Sequence, residues 1–309
     1  MKTKYAINLD SKFNPFKYGN EIILDIEQFK FEGGEQHIKI DPSYQAGDMT
    51  HNATKDEVIG DVIISQRFNS SEDIIAIMLA NDALRRLGFK NISLFLPYFP
   101  AARQDRVCNE GEPLSVKVFA DMINSCGFDK VTILSPHSEV APALLNNVEV
   151  LDELKIIGLI TSIEYFVGGV GINIVCPDAG AGKRVNKVAK YLAGKGFDVN
   201  LIRCEKVRDV STGKITEFFV SDKDLGGLNT LIVDDINSMG GTFIGLGKEL
   251  RKRNCGKLML FTSHSDCYKG IKNVTEHFDM VYTTNSKRNW GDDYYFPLES
   301  KFECIPIHR

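Results

Sequence analysis

Short apolar runs alternate with amphipathic stretches along most of this chain. Residues 58–65 read as a strand, and from Ser71 to Leu87 the apolar residues Ile74, Ile77, Met78, Leu84 and Leu87 recur at helical spacing. Gly88 then supplies a stop. A strand at Ile92 to Leu96, a helix at Leu114 to Cys126 with Pro113 near its start, and a strand at Lys130 to Leu134 continue the pattern. The second half repeats it: a strand at Ile172 to Cys176, a glycine loop, and a helix from about Lys183 to Leu192. Strands follow at Val199 to Ile202 and Leu231 to Val233, then glycines, a helix at Phe243 to Arg251 and a strand at Leu258 to Thr262.

Such alternation predicts an α/β fold with mainly parallel sheets flanked by helices. A boundary is expected near Asn146 to Leu151, giving domains over residues 1–147 and 148–309. In such sheets ligands bind beyond the carboxyl ends of the strands, so chemistry is sought just after them.

Composition narrows the class. The 309 residues suffice for two domains, and 43% hydrophobic with 25% charged residues is the balance of a globular, soluble chain. A net charge of −4 with both signs scattered argues against a nucleic-acid partner. No signal-peptide core and no run of about 18 apolar residues is visible, so no membrane partner is expected. The 7 cysteines show no C-x-x-C spacing and the 6 histidines no i, i+4 pair, which argues against a disulfide frame and a zinc site and points to the cytoplasm.

Four segments carry candidate chemistry. In Thr230 to Thr242, TLIVDDINSMGGT, an apolar strand ends in Asp234 and Asp235. Adjacent carboxylates there can accept hydrogen bonds from two sugar hydroxyls, and the Gly-Gly-Thr turn can hold an anion at a helix start. The same acids also fit a plain loop start with a helix cap. In Cys176 to Arg184, CPDAGAGKR, Asp178 follows a strand and suits Mg²⁺. A P-loop is excluded there, because Arg184 stands where Ser or Thr is needed. In Pro97 to Arg106, PYFPAARQDR, Arg103 and Arg106 are cations for a polyphosphate and Gln104 can read a base edge; a solvated loop fits equally. His137, in LSPHSE, again follows a strand, and Arg203 to Arg208, RCEKVR, offers Lys206 and Arg208 as a phosphoryl clamp or a plain polar loop.

Together and in this order, the segments resemble class I phosphoribosyl pyrophosphate (PRPP) synthetases from about Phe31 to Thr284. The resemblance implies two phosphoribosyltransferase-type domains and a dimer-based homo-oligomer, up to a hexamer. It implies transfer of pyrophosphate from ATP to the anomeric hydroxyl of ribose 5-phosphate, with Mg²⁺ and with AMP released. Phe31 and Glu35, in FEGGE, then match an adenine-contacting segment given to a neighbouring subunit. By the same resemblance Arg103 and Gln104 would bind ATP, and His137 and Asp178 would hold magnesium and the ATP phosphates. Lys206 and Arg208 match the catalytic Lys-x-Arg of a flexible loop. The resemblance would give Asp234 and Asp235 the ribose hydroxyls, with Ser238, Met239, Gly240, Gly241 and Thr242 around the 5-phosphate.

Several positions depart from that pattern. Ser238 and Met239 stand where the family has Asp-Thr, Gly33 replaces an aspartate, Cys108 replaces an acid, and GAGKR replaces GGAKR. The departures lie at the outer ends of the ligands, which raises a 5-substituted acceptor such as ADP-ribose, giving ADP-ribose pyrophosphate for NAD resynthesis. The alternatives are a non-catalytic regulatory subunit, disfavoured by the retained Lys206, Arg208, His137 and Asp178, and a phosphoribosyltransferase. A dinucleotide-binding dehydrogenase is weakest, because Gly168 to Gly171 precedes a strand.

Overall fold

The computed structural model describes residues 4–41, 60–162, 171–208, 215–267, 270–290 and 301–308, with backbone alone at 161–162, 207–208 and 215–217. The chain forms two compact units. The first spans 1–151 and takes back 286–289 and 306–309; the second spans 152–285 and 290–305.

The first unit runs β1 (Lys4–Asn8), β2 (Ile22–Ile23), β3 (Ile26–Lys30), β4 (Gln36–Ile40), β5 (Asp61–Ser65), α1 (Glu72–Arg86), β6 (Ile92–Phe95), α2 (Ser115–Ser125), β7 (Lys130–Leu134), α3 (Val140–Leu144) and β8 (Val148–Leu151). Its sheet has the order β2-β1-β5-β6-β7-β8 and every pairing in it is parallel. The strands read as nearly unbroken apolar runs because helices cover them. Ile74, Ile77 and Leu84 of α1 and Val116, Ala120 and Ile123 of α2 pack with Ile64, Leu94 and Ile133 in one core. β3 and β4 form a separate antiparallel hairpin.

In the second unit the order is α4 (Leu154–Ser162), β9 (Gly171–Cys176), a 3₁₀ turn (Ala179–Ala181), α5 (Gly182–Ala193), β10 (Asp198–Arg208), β11 (Ile215–Val220), β12 (Asn229–Asn237), α6 (Gly241–Arg251), β13 (Leu258–Ser265), α7 (Ile271–His277), β14 (Met280–Thr284) and β15 (Phe302–Ile305). The sheet order is β11-β10-β9-β12-β13-β14-β15. Within this sheet, among the described strands, only β11 runs antiparallel. Alternate residues feed two cores: Ile232 and Leu260 face Leu246 and Leu250 of α6, while Leu231 and Phe261 face Val185, Val188 and Leu192 of α5. β13 is buried at every position, as a strand covered on both faces must be.

The α/β class expected from the periodicity is the one observed, and β7 has the bounds read from the sequence. Three strands run well past the apolar pattern, among them β13, which continues beyond Thr262 to Ser265. β12 begins at Asn229 and continues through both acids to Asn237, and β10 continues past Ile202 to Arg208. β10 is prolonged by antiparallel pairing with β11, where Cys204 faces Val220 and Lys206 faces Phe218. Its polar alternate positions read as loop until that partner strand is known. Val58 and Ile59, Gly168 to Val170, and the polar stretch 209–213 lie outside the described residues. Among the described residues, no helix is long and apolar enough to cross a membrane.

Candidate active site

β12 delivers its acids to the carboxyl end of the second unit's sheet, three strands from one edge and three from the other. Successive strand residues point to opposite faces, yet Asp234 and Asp235 both reach the same cation. Arg184, in the first turn of α5, places Nη1 3.6 Å from Asp234 Oδ1 and 3.4 Å from Asp235 Oδ1. Its Nε lies 3.4 Å from Glu153 Oε1. Asp234 Oδ1 also accepts the Asp235 backbone N–H at 2.9 Å. Burial, followed by the neighbouring Asp235 charge, raises the Asp234 carboxyl to about 8, against the pull of Arg184. Near neutrality the acid pair therefore retains a proton.

The loop beyond these acids is set by backbone geometry. Gly240 has φ +76°, the left-handed region that favours glycine, and stands at the start of α6. A Cβ there would sit 2.4 Å from Val274 Cγ2 of α7, whereas above Gly241 the space is open. Gly240, at the N-cap of α6, supplies no capping side chain, and the turn brings amides and a positive helix end to where an anion can bind. Thr242 lies in that first turn. Met239 is 85% exposed and offers no hydroxyl where the resemblance places one. Gly240→Ala is expected to cost about 2 kcal/mol or more, since it combines left-handed strain with overpacking. Urea denaturation of the two proteins checks it, and equal midpoints would refute it.

Asp178 and Lys206 meet just beyond β9, the strand beside β12 in the sheet. Asp178 is extended (φ −163°) at the end of β9 and its Oδ1 accepts the Ala181 N–H at 3.1 Å. Its Oδ2 accepts from Lys206 Nζ at 2.6 Å. Burial pushes the Asp178 carboxyl up, but the Lys206 hydrogen bond and charge, with the Ala181 and Gly180 amides, hold it below its usual value. The strand pairing places Lys206 opposite Phe218, and Phe218 lies on Gly245 of α6, where a Cβ would come within 2.5 Å of its ring. The hairpin bearing Lys206 is thus seated on the helix that follows the glycine turn. Arg208 stands two residues on, its backbone opposite Ile215, after an irregularity in the pairing. Its side chain lies outside the described residues.

In the first unit, two loops leave the carboxyl ends of the adjacent strands β6 and β7. They are tied by the Leu134 N–H, which donates to the Pro97 carbonyl at 2.9 Å. Ala101 (φ 53°) and Ser135 (φ 41°) hold left-handed conformations without being glycine, a strain that clusters at functional loops. Arg103 and Gln104 follow the first of these residues and His137 the second, and all three are exposed. Phe31 and Glu35 close the β3–β4 hairpin, where the Phe31 N–H donates to the Glu35 carbonyl at 2.9 Å. Phe31 is exposed and packs with Phe29 and His37 at ring distances of 5.2 and 5.7 Å. The Glu35 carboxylate lies over Gly33, where a Cβ would meet it at 2.5 Å.

Among the described residues, no group of three or more His, Cys, Asp or Glu is placed to hold a metal. Asp178 offers a hard oxygen, half open to solvent. That fits Mg²⁺, which keeps most of its shell as water and substrate phosphate oxygens. Arg184 was visible in sequence as a cation after the glycine loop, but its pairing with the acids was not. Glu153 gave no signal at all, since its partner lies on a different helix.

Comparison with known proteins agrees with this architecture. A family model for the N-terminal domain of ribose phosphate pyrophosphokinase matches residues 23–127. The chain is 31% identical over 267 residues to a ribose-phosphate pyrophosphokinase of Thermococcus kodakarensis, covering 85% of this chain and 86% of that one. It is 28% identical over 276 residues to a protein of the same name from Pyrococcus abyssi, covering 87% and 86%. The crystal structure of phosphoribosylpyrophosphate synthetase from Mycobacterium smegmatis superimposes with a TM-score of 0.78 at 20% identity, over 99% of this chain and 95% of that one.

Proposed function

The chain belongs to the ribose-phosphate pyrophosphokinase family of enzymes, and we propose that it transfers the β,γ-diphosphate of MgATP to the C1 hydroxyl of a ribose 5-phosphate group. The observation that carries this reading is the assembly in one unit of twin acids, a glycine turn at a helix start and the Lys206–Asp178 pair.

Asp234 and Asp235 accept hydrogen bonds from the 2- and 3-hydroxyls of the ribose. The amides of Gly240, Gly241 and Thr242, with Ser238 and Met239 beside them, receive the 5-phosphate. Arg103 and Gln104 bind ATP, and Phe31 and Glu35 serve the adenine of a neighbouring subunit in a dimer-based homo-oligomer. Asp178 would be a ligand of the Mg²⁺, which supplies charge neutralisation to the triphosphate when bound, and His137 is assigned to the ATP phosphates. The anomeric oxygen forms its bond to the β-phosphorus, the bond from that phosphorus to the α,β-bridging oxygen breaks, AMP leaves, and the hydroxyl proton passes to solvent. Lys206 leaves Asp178 for the oxygens of the moving group, and Arg208 joins it. Alignment and charge do the catalysis, with no covalent enzyme intermediate. The working compartment is the cytoplasm.

The acceptor is a ribose 5-phosphate or a 5-substituted form of it such as ADP-ribose. Exposed Met239 favours the substituted form, because a loop built for a terminal phosphate gains nothing from an open thioether. An acceptor screen tests this: AMP release is measured with ribose 5-phosphate and with ADP-ribose, and the product is weighed. A kcat/KM for ADP-ribose about tenfold or more above that for ribose 5-phosphate is expected of the substituted reading. Equal or better use of ribose 5-phosphate defeats it and leaves the pyrophosphokinase reading standing.

A further inference from the structure

The best-defined charge cluster in the second unit contains two residues to which the reaction above gives no role. Arg184 is one guanidinium facing three carboxylates, those of Glu153, Asp234 and Asp235. Side-chain exposure is 12% for Arg184, 5% for Glu153 and 6% for Asp235, so this balance is struck largely out of water. Two adjacent buried acids repel each other, and a lone pair of them would turn apart or protonate. The shared Nη1 contact holds both on one side.

We propose that Arg184, braced by Glu153, is the positioning residue that orients the Asp234 and Asp235 carboxylates toward the acceptor ribose. This rests on reading those acids as the ribose-hydroxyl pair. The contacts of 3.4 and 3.6 Å are ion-pair distances, looser than charge-assisted hydrogen bonds of about 2.7–2.9 Å, and leave acceptor lone pairs for sugar hydroxyls. Glu153 is fixed in turn, since its carbonyl accepts the Ile157 N–H at 2.9 Å and ties it to α4. Its carboxylate meets Nε, which directs the other edge of the guanidinium at β12. The Cys176 thiol also feels the Asp234 carboxyl, and burial keeps that thiol protonated and uncharged. A lysine at 184 would restore charge but not the two-edged geometry.

Steady-state kinetics of Arg184→Gln, Arg184→Lys, Glu153→Gln and Asp235→Asn, with the acceptor and ATP varied separately, decide the matter. Arg184→Gln is expected to raise the acceptor KM by about 30-fold while the ATP KM stays within about twofold. Arg184→Lys is expected to recover part of that loss, and Glu153→Gln to show a smaller rise in the same parameter. Should Arg184→Gln fail to fold, the Lys and Glu153 variants carry the test alone. Parallel changes in both KM values, or an unchanged acceptor KM, overturn the proposal and leave a network that only joins α4 and α5 to the sheet. If Asp235→Asn alone raises the acceptor KM, the positioning role falls and the ribose assignment survives. If Asp235→Asn leaves the acceptor KM unchanged, the ribose assignment itself is lost, and the role of Arg184 with it.

Discussion

Lys206→Ala is expected to lower kcat by about 10³-fold while the KM for ATP changes by less than about threefold. Charge builds on the moving group only as the bond to the bridging oxygen breaks, so an ammonium placed there acts on the transition state more than on bound ATP. In the structure the Lys206 ammonium is held by Asp178 at 2.6 Å, at the end of a strand seated through Phe218 on α6. Its loss removes the ion pair of Asp178, but that carboxylate keeps the Ala181 N–H, is 37% exposed, and can be served by water. Folding should therefore survive, and a matched melting curve would show that the kinetic loss is chemical. A kcat within about threefold of the parent would remove Lys206 from the mechanism.

Asp234→Asn is expected to have opposite effects on binding and on stability. An amide keeps the shape but cannot give up a proton when sugar hydroxyls donate to the acid pair, so kcat/KM for the acceptor should fall by about 100-fold. Stability should move the other way. The folded protein holds the Asp234 proton up to about 8, whereas the unfolded chain releases it near 4. As pH rises between those values, the parent loses stability, because the unfolded state gives up a proton that the folded state retains. The loss is complete once pH passes the folded value. The asparagine variant has no such loss, so its melting temperature should exceed that of the parent by more at about pH 8.5 than at about pH 5. A difference that shrinks toward alkaline pH would show that burial and Asp235 do not oppose ionisation of Asp234.

Where one element determines its own form, the sequence revealed it. The spacing of Ile74, Ile77 and Leu84 defined α1 to within a residue at each end, and the apolar run from Lys130 to Leu134 defined β7. Where form depends on a partner, the sequence was silent. β10 reaches Arg208 only because β11 pairs with it, and β3 is exposed at nearly every position and so leaves no buried alternation. The site divides the same way. Asp234, Asp235 and the glycine turn are one contiguous segment, and their chemistry could be read from it. The Asp178–Lys206 pair joins β9 to β10, and the Glu153–Arg184 link joins the start of α4 to α5; both arise from chain topology.

The central claim is a diphosphate transfer, and the identity of the nucleotide product tests it most directly. Purified protein is incubated with ATP, Mg²⁺ and the acceptor chosen by the screen, and the products are separated and weighed. The account predicts AMP and an acceptor heavier by one diphosphate group, in equal amounts. ADP with a monophosphorylated acceptor, or an acceptor recovered unchanged, would contradict it.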